Sequence, residues 1–173
     1  MSVRYANLIG IEASKKGVHV FANRGTSGID GCTSTAVGHA LCGDVPNFLI
    51  TGDMAFFYDR NAFWHNYPIA NLHVLVLNNH GGTIFNLIDG PSRLPEKDEF
   101  FITEQKLSAR HLAAEYKFEY LKLDQLRKWK NVLDQFMVFD GTAKILEMES
   151  DAASNLTSFE QFKQHIKKGY ERH

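Results

Sequence analysis

The sequence predicts an α/β domain with a doubly wound, mostly parallel sheet and helices on both faces. Short apolar segments that fit strands alternate along the chain with segments that have helical spacing. Residues 72–77 are apolar except for one histidine, as expected of a central parallel strand covered on both faces. The chain has 173 residues, of which 44% are hydrophobic, and this is enough for one domain with a sizeable core.

The first half of the chain alternates strands and helices after an initial stretch with helical spacing. Residues 18–22 and 48–51 are short apolar runs that end in glycine-containing loops, and both are predicted as strands. The small residues of 33–43 indicate a helix packed closely on the sheet. Residues 55–64 predict a further helix, which leads to the strand at 72–77.

The second half begins with a long polar connection, residues 86–107, of the kind that often forms an active-site lid. A helix is predicted near 108–116, a helix carrying Trp129 on its core face follows, and Ser158 with Gln161 suggests a capping box for a last helix with Phe162 in its apolar stripe. The predicted strands of this half are 119–123 and 143–148.

Charge and cysteine content exclude several classes of partner. Nineteen basic and twenty acidic residues leave a formal charge of −1, which argues against nucleic acid or a membrane surface as the main partner. No apolar run approaches the roughly 20 residues that span a bilayer. The two cysteines, Cys32 and Cys42, are not in a CxxC spacing and are predicted to be free thiols in a reducing compartment. We therefore expect a cytoplasmic protein.

Polar and glycine-rich clusters follow three of the predicted strands, where ligands bind in open α/β sheets. Gly52 and Asp53 follow one strand, and Asn79 follows the next, one strand–helix–strand unit further along. A carboxylate, a carboxamide oxygen and the backbone carbonyl of Gly81 would make a set of hard oxygen ligands suited to Mg²⁺, or equally to Mn²⁺. The glycine allows a phosphate to approach closely, and a helix beginning near Ala55 would add N–H donors.

Three segments in order carry a resemblance to thiamine-diphosphate enzymes. The segments are 23–31 (NRGTSGIDG), 52–59 (GDMAFFYD) and 78–85 (NNHGGTIF). A Gly-Asp pair followed about 25 residues later by Asn-Asn is the general pattern of those enzymes, although Met54 replaces their usual second glycine. The three segments together resemble the family of 2-succinyl-5-enolpyruvyl-6-hydroxy-3-cyclohexene-1-carboxylate synthases of menaquinone biosynthesis, in which a hydrophobic residue at this position is expected.

The resemblance implies a transferase that decarboxylates 2-oxoglutarate and adds the succinyl semialdehyde unit to isochorismate, with thiamine diphosphate and Mg²⁺ or Mn²⁺ as cofactors. Both substrates are anions, and Arg4 and Arg24 are the implied carboxylate-binding residues. Ile84 and Phe85 would form an apolar wall beside the cofactor and the substrates. The implied cofactor-binding residues are Gly25, Ser27, Gly52, Asp53, Met54, Ala55, Asn79, Gly81, Ile84 and Phe85, and the implied metal ligands are Asp53, Asn79 and Gly81.

By the same resemblance, residues 1–173 would form a C-terminal diphosphate-binding domain, without the N-terminal pyrimidine-binding and central domains. The activating glutamate would come from the N-terminal domain of a partner subunit in a homodimer or homotetramer. No catalytic acid or base is therefore expected in this chain, which would be inactive alone.

Two alternatives remain. The chain could belong to another thiamine-diphosphate enzyme, such as a 2-oxoacid decarboxylase or an acetolactate-type synthase, although the Arg24 loop and Met54 argue against this. It could also be a non-catalytic nucleotide-binding α/β module, but neither a GxGxxG nor a GxxxxGK[ST] turn is present.

Overall fold

The structure is a computed structural model that describes residues 17–23 and 28–170. Within these residues, four strands form one all-parallel sheet in the order β1-β2-β4-β3. The strands are β1 (Asn47–Gly52), β2 (Leu72–Asn78), β3 (Glu119–Leu123) and β4 (Lys144–Glu149), and the α-helices are α1 (Cys32–Leu41), α2 (Asp53–Tyr58), α3 (Ala109–Glu115), α4 (Trp129–Phe136) and α5 (Ala152–Tyr170). The predicted α/β class is confirmed.

The winding follows from the order of the strands. The chain moves in one direction from β1 to β2 and on to β3, then turns back to insert β4 between β2 and β3. A reversal of direction with the same crossover hand requires helices on opposite faces of the sheet. The packing agrees with this, because α1, α2 and α3 contribute to one core and α4 to another.

Alternation along the two central strands supplies both cores. Val74 and Val76 of β2 and Ile145 of β4 are fully buried in the larger core, with Phe56 and Phe63. Leu146, on the opposite face of β4, is buried in the smaller core with Phe136 of α4 and Leu123 of β3. Residues buried on both faces explain why the central strands have nearly continuous apolar sequences.

The long connection after β2 consists of short helical turns. Two 3₁₀ turns, Thr83–Asn86 and Pro91–Arg93, are followed by a π-helix over Lys97–Ile102. The segment that follows returns to the end of β2, where Gln105 donates its backbone N–H to the His80 carbonyl at 3.0 Å. The connection therefore lies against the carboxyl end of the sheet. No helix among the described residues is both long and apolar enough to cross a membrane.

One strand prediction and one helix prediction in the first half of the chain were wrong. Residues 18–22 form no strand, and Val18, Val20 and Phe21 are more than half exposed, so this segment neither pairs with another strand nor has a buried face among the residues that the structure describes. The helix predicted over 55–64 begins at Asp53 instead, ends at Tyr58 and is followed by a 3₁₀ turn. The side chain of Asp59 between them accepts hydrogen bonds from the backbone N–H and the hydroxyl of Ser34, which ties α1 to this break.

Three predictions about the last third were also wrong. The α5 helix begins six residues before the predicted capping box, because the Asp151 carboxylate accepts the backbone N–H of Ser154 at 2.8 Å and caps the helix there. Trp129 is 53% exposed and Phe162 is 38% exposed, so neither is a core residue. Amphipathic spacing alone therefore does not determine how deeply a side chain is buried. Cys32 and Cys42 are free, as predicted.

Candidate metal and cofactor site

The carboxyl ends of β1 and β2 bring the predicted ligand Asp53 close to Asn78, the neighbour of the predicted ligand Asn79. Gly52 ends β1 and pairs with Leu77 of β2, so Asp53 and Asn78 follow at adjacent strand ends. Asp53 is the first residue of α2 and only 3% exposed, and Asn78 is 1% exposed. A carboxylate and a carboxamide are thus buried side by side at the edge where ligands bind in this class of fold.

Gln105 joins these two side chains. Its Nε2 donates to Asp53 Oδ2 at 2.8 Å and to Asn78 Oδ1 at 3.1 Å. The two oxygens therefore lie within hydrogen-bonding distance of the same nitrogen. The sequence analysis did not assign Gln105 to the site, because it lies in the long polar connection.

Asn79 presents an oxygen with no hydrogen-bond partner. Its Nδ2 donates to Thr83 Oγ1 at 2.7 Å, which fixes the orientation of the carboxamide. Its Oδ1 is buried and, among the described residues, accepts no hydrogen bond. A buried polar atom without a partner is costly, so this oxygen is suited to binding a cation. A hard cation such as Mg²⁺ would complete it.

The donor set as a whole fits a magnesium-like ion. Besides Asp53 and Asn79, Gly81 is buried in the same loop, with its carbonyl accepting the backbone N–H of Thr83 at 2.9 Å. Within the described ranges there is no group of three or more His, Cys, Asp or Glu side chains that could hold a metal. This is consistent with the predicted set, which has a single carboxylate.

His80 lies between the predicted ligands but binds away from them. It has a left-handed backbone, with φ of 63°, and its N–H donates to Asn78 Oδ1 at 3.1 Å. Its ring Nε2 lies 3.1 Å from Glu149 Oε1, and the other oxygen of Glu149 pairs with Lys122. The hydrogen bond from Lys122 is the main reason that the pKa of Glu149 lies below its ordinary value, and the His80 hydrogen bond lowers it further. His80 therefore tethers the loop to the end of β4.

Glu147 of β4 holds Asn78 through a hydrogen bond from the Asn78 carboxamide to its carboxylate. It is 2% exposed, and its carboxylate accepts hydrogen bonds from Asn78 Nδ2 at 2.7 Å and from Tyr120 Oη at 2.6 Å. Burial raises the pKa of Glu147, but hydrogen bonds from Tyr120, Asn78, Ser108 and the Ala109 backbone outweigh burial, and the pKa lies below its ordinary value. A charged carboxylate is thus held under the candidate site.

Of the remaining predicted site residues, four are described by the structure and four lie outside the described residues. Met54 and Ala55 are half-buried in the first turn of α2. Ile84 is 41% exposed in the 3₁₀ turn after the loop, and Phe85 packs on Phe101 with ring centroids 5.3 Å apart. Arg4, Arg24, Gly25 and Ser27 lie outside the described residues.

Sequence reasoning missed Glu147, although a signal for it was present. A glutamate within an apolar parallel strand has to be buried on one face, and a buried carboxylate requires several donors. No comparable local signal marked Gln105, because its role depends on how the connection folds back.

Comparison with known proteins relates the chain to one enzyme name. It is 54% identical over 170 residues to the 2-succinyl-5-enolpyruvyl-6-hydroxy-3-cyclohexene-1-carboxylate synthase of Cytophaga hutchinsonii, covering 98% of this chain and 30% of that protein. It is 40% identical over 161 residues to the protein of the same name from Flavobacterium johnsoniae, covering 93% of this chain and 28% of that protein. It is 39% identical over 147 residues to the protein of the same name from Christiangramia forsetii, covering 85% of this chain and 25% of that protein.

No protein-family model matches the chain. The chain spans less than a third of the length of these curated relatives. The identity of 54% nevertheless extends over nearly the whole chain, which is far above the level expected for unrelated proteins. The chain belongs, as a segment shorter than its relatives, to the family of 2-succinyl-5-enolpyruvyl-6-hydroxy-3-cyclohexene-1-carboxylate synthases.

Proposed function

We propose that this chain is the C-terminal, diphosphate- and metal-binding part of a thiamine-diphosphate-dependent transferase. The whole enzyme would decarboxylate 2-oxoglutarate and add the succinyl semialdehyde unit to isochorismate in menaquinone biosynthesis. The observation that carries the proposal is the buried Asn79 Oδ1, which accepts no hydrogen bond from any residue that the structure describes and lies in the loop after β2, the strand next to the one that ends just before buried Asp53. The names of the relatives support the reaction.

Asp53, Asn79 and the Gly81 carbonyl would hold Mg²⁺ or Mn²⁺, and the ion would bind the diphosphate of the cofactor. Asp53 supplies the negative charge, and Asn79 supplies an oxygen that is already stripped of water and oriented by Thr83. Gln105 satisfies Asp53 Oδ2 in the structure, so a metal at this carboxylate competes with the Gln105 amide. Metal binding would therefore shift Gln105 and the segment that carries it.

Bound thiamine diphosphate would supply the electron sink for the decarboxylation and for the carbon–carbon bond. The chain would position it: Gly52, Met54 and Ala55 line the start of α2, and the exposed Ile84 with Phe85 would give an apolar contact that excludes water. Gly25 and Ser27 would add contacts to the cofactor. Arg4 and Arg24 would bind the substrate carboxylates.

The proposed site is one half of an active site. The activating glutamate would come from the N-terminal domain of a partner subunit, in a homodimer or homotetramer located in the cytoplasm. This chain would then bind the cofactor weakly and turn over nothing when alone.

Calorimetric titration of thiamine diphosphate into this chain, with Mg²⁺ and then without it, tests the proposal. We expect weak binding that requires the metal and is lost in Asp53→Ala. Asp98→Ala is the matched control, because it removes an exposed carboxylate from the connection, and it should bind as the parent chain does.

Metal-independent binding, or equal binding by Asp53→Ala, would contradict the proposed metal site. An assay of 2-oxoglutarate and isochorismate consumption completes the test. The chain alone should show no turnover, and addition of the remaining domains of the enzyme should restore it; turnover by the chain alone would refute the half-site proposal.

A further inference from the structure

Glu147 is a buried carboxylate whose four hydrogen-bond donors come from three different elements of the fold. Its Oε1 accepts Asn78 Nδ2 at 2.7 Å and the backbone N–H of Ala109 at 3.1 Å. Its Oε2 accepts the hydroxyls of Ser108 at 2.8 Å and Tyr120 at 2.6 Å. Four donors from β2, β3 and the start of α3 therefore converge on one buried carboxylate.

The two carboxylate oxygens face different kinds of donor. The donors to Oε1 are N–H groups that cannot act as acceptors, whereas the donors to Oε2 are hydroxyls that can also accept. Only an acceptor can occupy the Oε1 position. The Asn78 carboxamide must therefore turn its NH₂ group towards Glu147 and its oxygen towards the carboxyl edge of the sheet.

The oriented Asn78 oxygen then holds the loop that follows it. Asn78 Oδ1 accepts the backbone N–H of His80 and Nε2 of Gln105, both at 3.1 Å. His80 is in the left-handed region, which is strained for a residue with a side chain and needs support from its surroundings. Asn78 supplies that support, and its own orientation is set by two acceptors of Nδ2: Glu147 Oε1 at 2.7 Å and the Leu107 carbonyl at 3.1 Å.

We propose that Glu147 is a positioning residue for the candidate site: by fixing the Asn78 carboxamide it holds the loop of residues 79–82 and Gln105 in place. Its consequence for cofactor binding rests on the proposed function, but its effect on the loop does not. Glu147 acts through Asn78, one step removed from the predicted ligands.

Three variants separate positioning from a general structural role. Glu147→Leu removes both carboxylate acceptors and leaves Asn78 Nδ2 with only the longer hydrogen bond to the Leu107 carbonyl. Glu147→Gln keeps an acceptor at the Oε1 position and turns an NH₂ group towards two hydroxyls that can rotate to accept it, so it should rescue the loop. Tyr120→Phe is the matched control, because it removes a buried hydrogen bond to the same carboxylate without touching Asn78.

Amide hydrogen exchange in this chain, without cofactor, measures the loop directly. We expect Glu147→Leu to speed exchange of the His80 and Gln105 amides by about tenfold or more relative to the β1–β2 ladder amides of the same variant. Glu147→Gln and Tyr120→Phe should keep these ratios near those of the parent. If Glu147→Leu does not fold, Asn78→Ala breaks the same link and should give the same pattern.

The second measurement is titration of thiamine diphosphate with Mg²⁺. Residues that orient ligands commonly change metal affinity 10- to 100-fold, so Glu147→Leu should bind about tenfold or more weakly and Glu147→Gln within about threefold of the parent. Unchanged exchange in Glu147→Leu, or an equal increase in Tyr120→Phe, would overturn the positioning role. If the parent chain shows no metal-dependent binding, the proposed function fails, and the exchange ratios still decide the role of Glu147.

Discussion

Two consecutive glycines let the backbone of the site loop lie directly against the connection that folds over it. A Cβ atom at Gly81 would lie 2.9 Å from the Ile102 carbonyl oxygen, and one at Gly82 would lie 2.7 Å from the Phe101 carbonyl oxygen and 3.2 Å from the Phe85 ring. The Gly82 N–H also donates to the Ile102 carbonyl at 2.7 Å. The loop can therefore keep its place only while residues 81 and 82 have no side chain.

Gly82→Ala should push the segment at Phe101 away and lower the free energy of unfolding by about 1–3 kcal/mol. The matched control is Gly38→Ala, because a Cβ at Gly38 meets no atom within 4 Å and the position is helical. That variant should raise the free energy of unfolding by about 0.5–1 kcal/mol. Urea denaturation measures both, and a Gly82→Ala chain as stable as the parent would disprove the close contact.

His73 is the buried residue whose titration should be visible in stability. It is fully buried in β2, its Nδ1–H donates to the Phe136 carbonyl, and its ring stacks on Phe139 with centroids 3.9 Å apart. Burial lowers the pKa of His73 below its ordinary value, and the positive charge of Lys144 adds to this, while the Phe136 hydrogen bond only partly opposes them. The folded state therefore favours the neutral ring.

Because the unfolded chain binds the proton more readily, the contribution of His73 is present above the unfolded pKa of about 6.5 and is lost as the pH falls through the folded pKa. We expect the free energy of unfolding of the parent to fall between pH 7 and pH 5. In His73→Gln this fall should be less steep, by at most about 1.4 kcal/mol per pH unit. His111→Gln, which removes an exposed histidine from α3, should keep the parent slope. Equal slopes for the parent and His73→Gln would contradict this assignment.

At the scale of elements, strands were predicted more accurately than helix ends. The strand at 119–123 has the predicted bounds, and the three other observed strands differ from prediction by one or two residues. The two central strands, β2 and β4, are buried on both faces, which gives them nearly continuous apolar sequences. Helix ends depend on single capping hydrogen bonds, and several residues in a row can offer one. Residues 18–22, which form no strand and pair with none of the strands among the described residues, show that an apolar sequence alone is insufficient.

The start of α5 gives a direct comparison between two candidate caps. The structure places the cap at Asp151, whereas the sequence pattern placed it at Ser158, which is exposed inside the helix. Asp151→Ala should therefore lower stability by about 1 kcal/mol, and Ser158→Ala should be neutral or slightly stabilising. Thermal unfolding followed by circular dichroism distinguishes the two variants. A larger loss of stability in Ser158→Ala than in Asp151→Ala would contradict the start at Asp151 and support the predicted start at Ser158.

At the scale of the whole molecule, the sequence predicts which strand ends carry the candidate site residues but not the residues that support them. Parallel topology alone requires that Gly52, Asp53 and Asn79 meet at one edge of the sheet, and adjacent β1 and β2 bring them there. The contributions of Glu147 and Gln105 depend on strand β4 entering between β2 and β3 and on the connection returning to β2. Neither long-range arrangement is encoded in a local pattern.

The central claim is that Asp53 and Asn79 hold a divalent ion for a bound diphosphate. Electron paramagnetic resonance of Mn²⁺, titrated into this chain with and without thiamine diphosphate, tests it most directly. We predict that, in the presence of thiamine diphosphate, this chain lowers the signal of free Mn²⁺ below that of the same mixture without protein, and that Asn79→Ala and Asp53→Ala each abolish this additional fall. Mn²⁺ binding that is independent of thiamine diphosphate, or unchanged in both variants, would contradict the account.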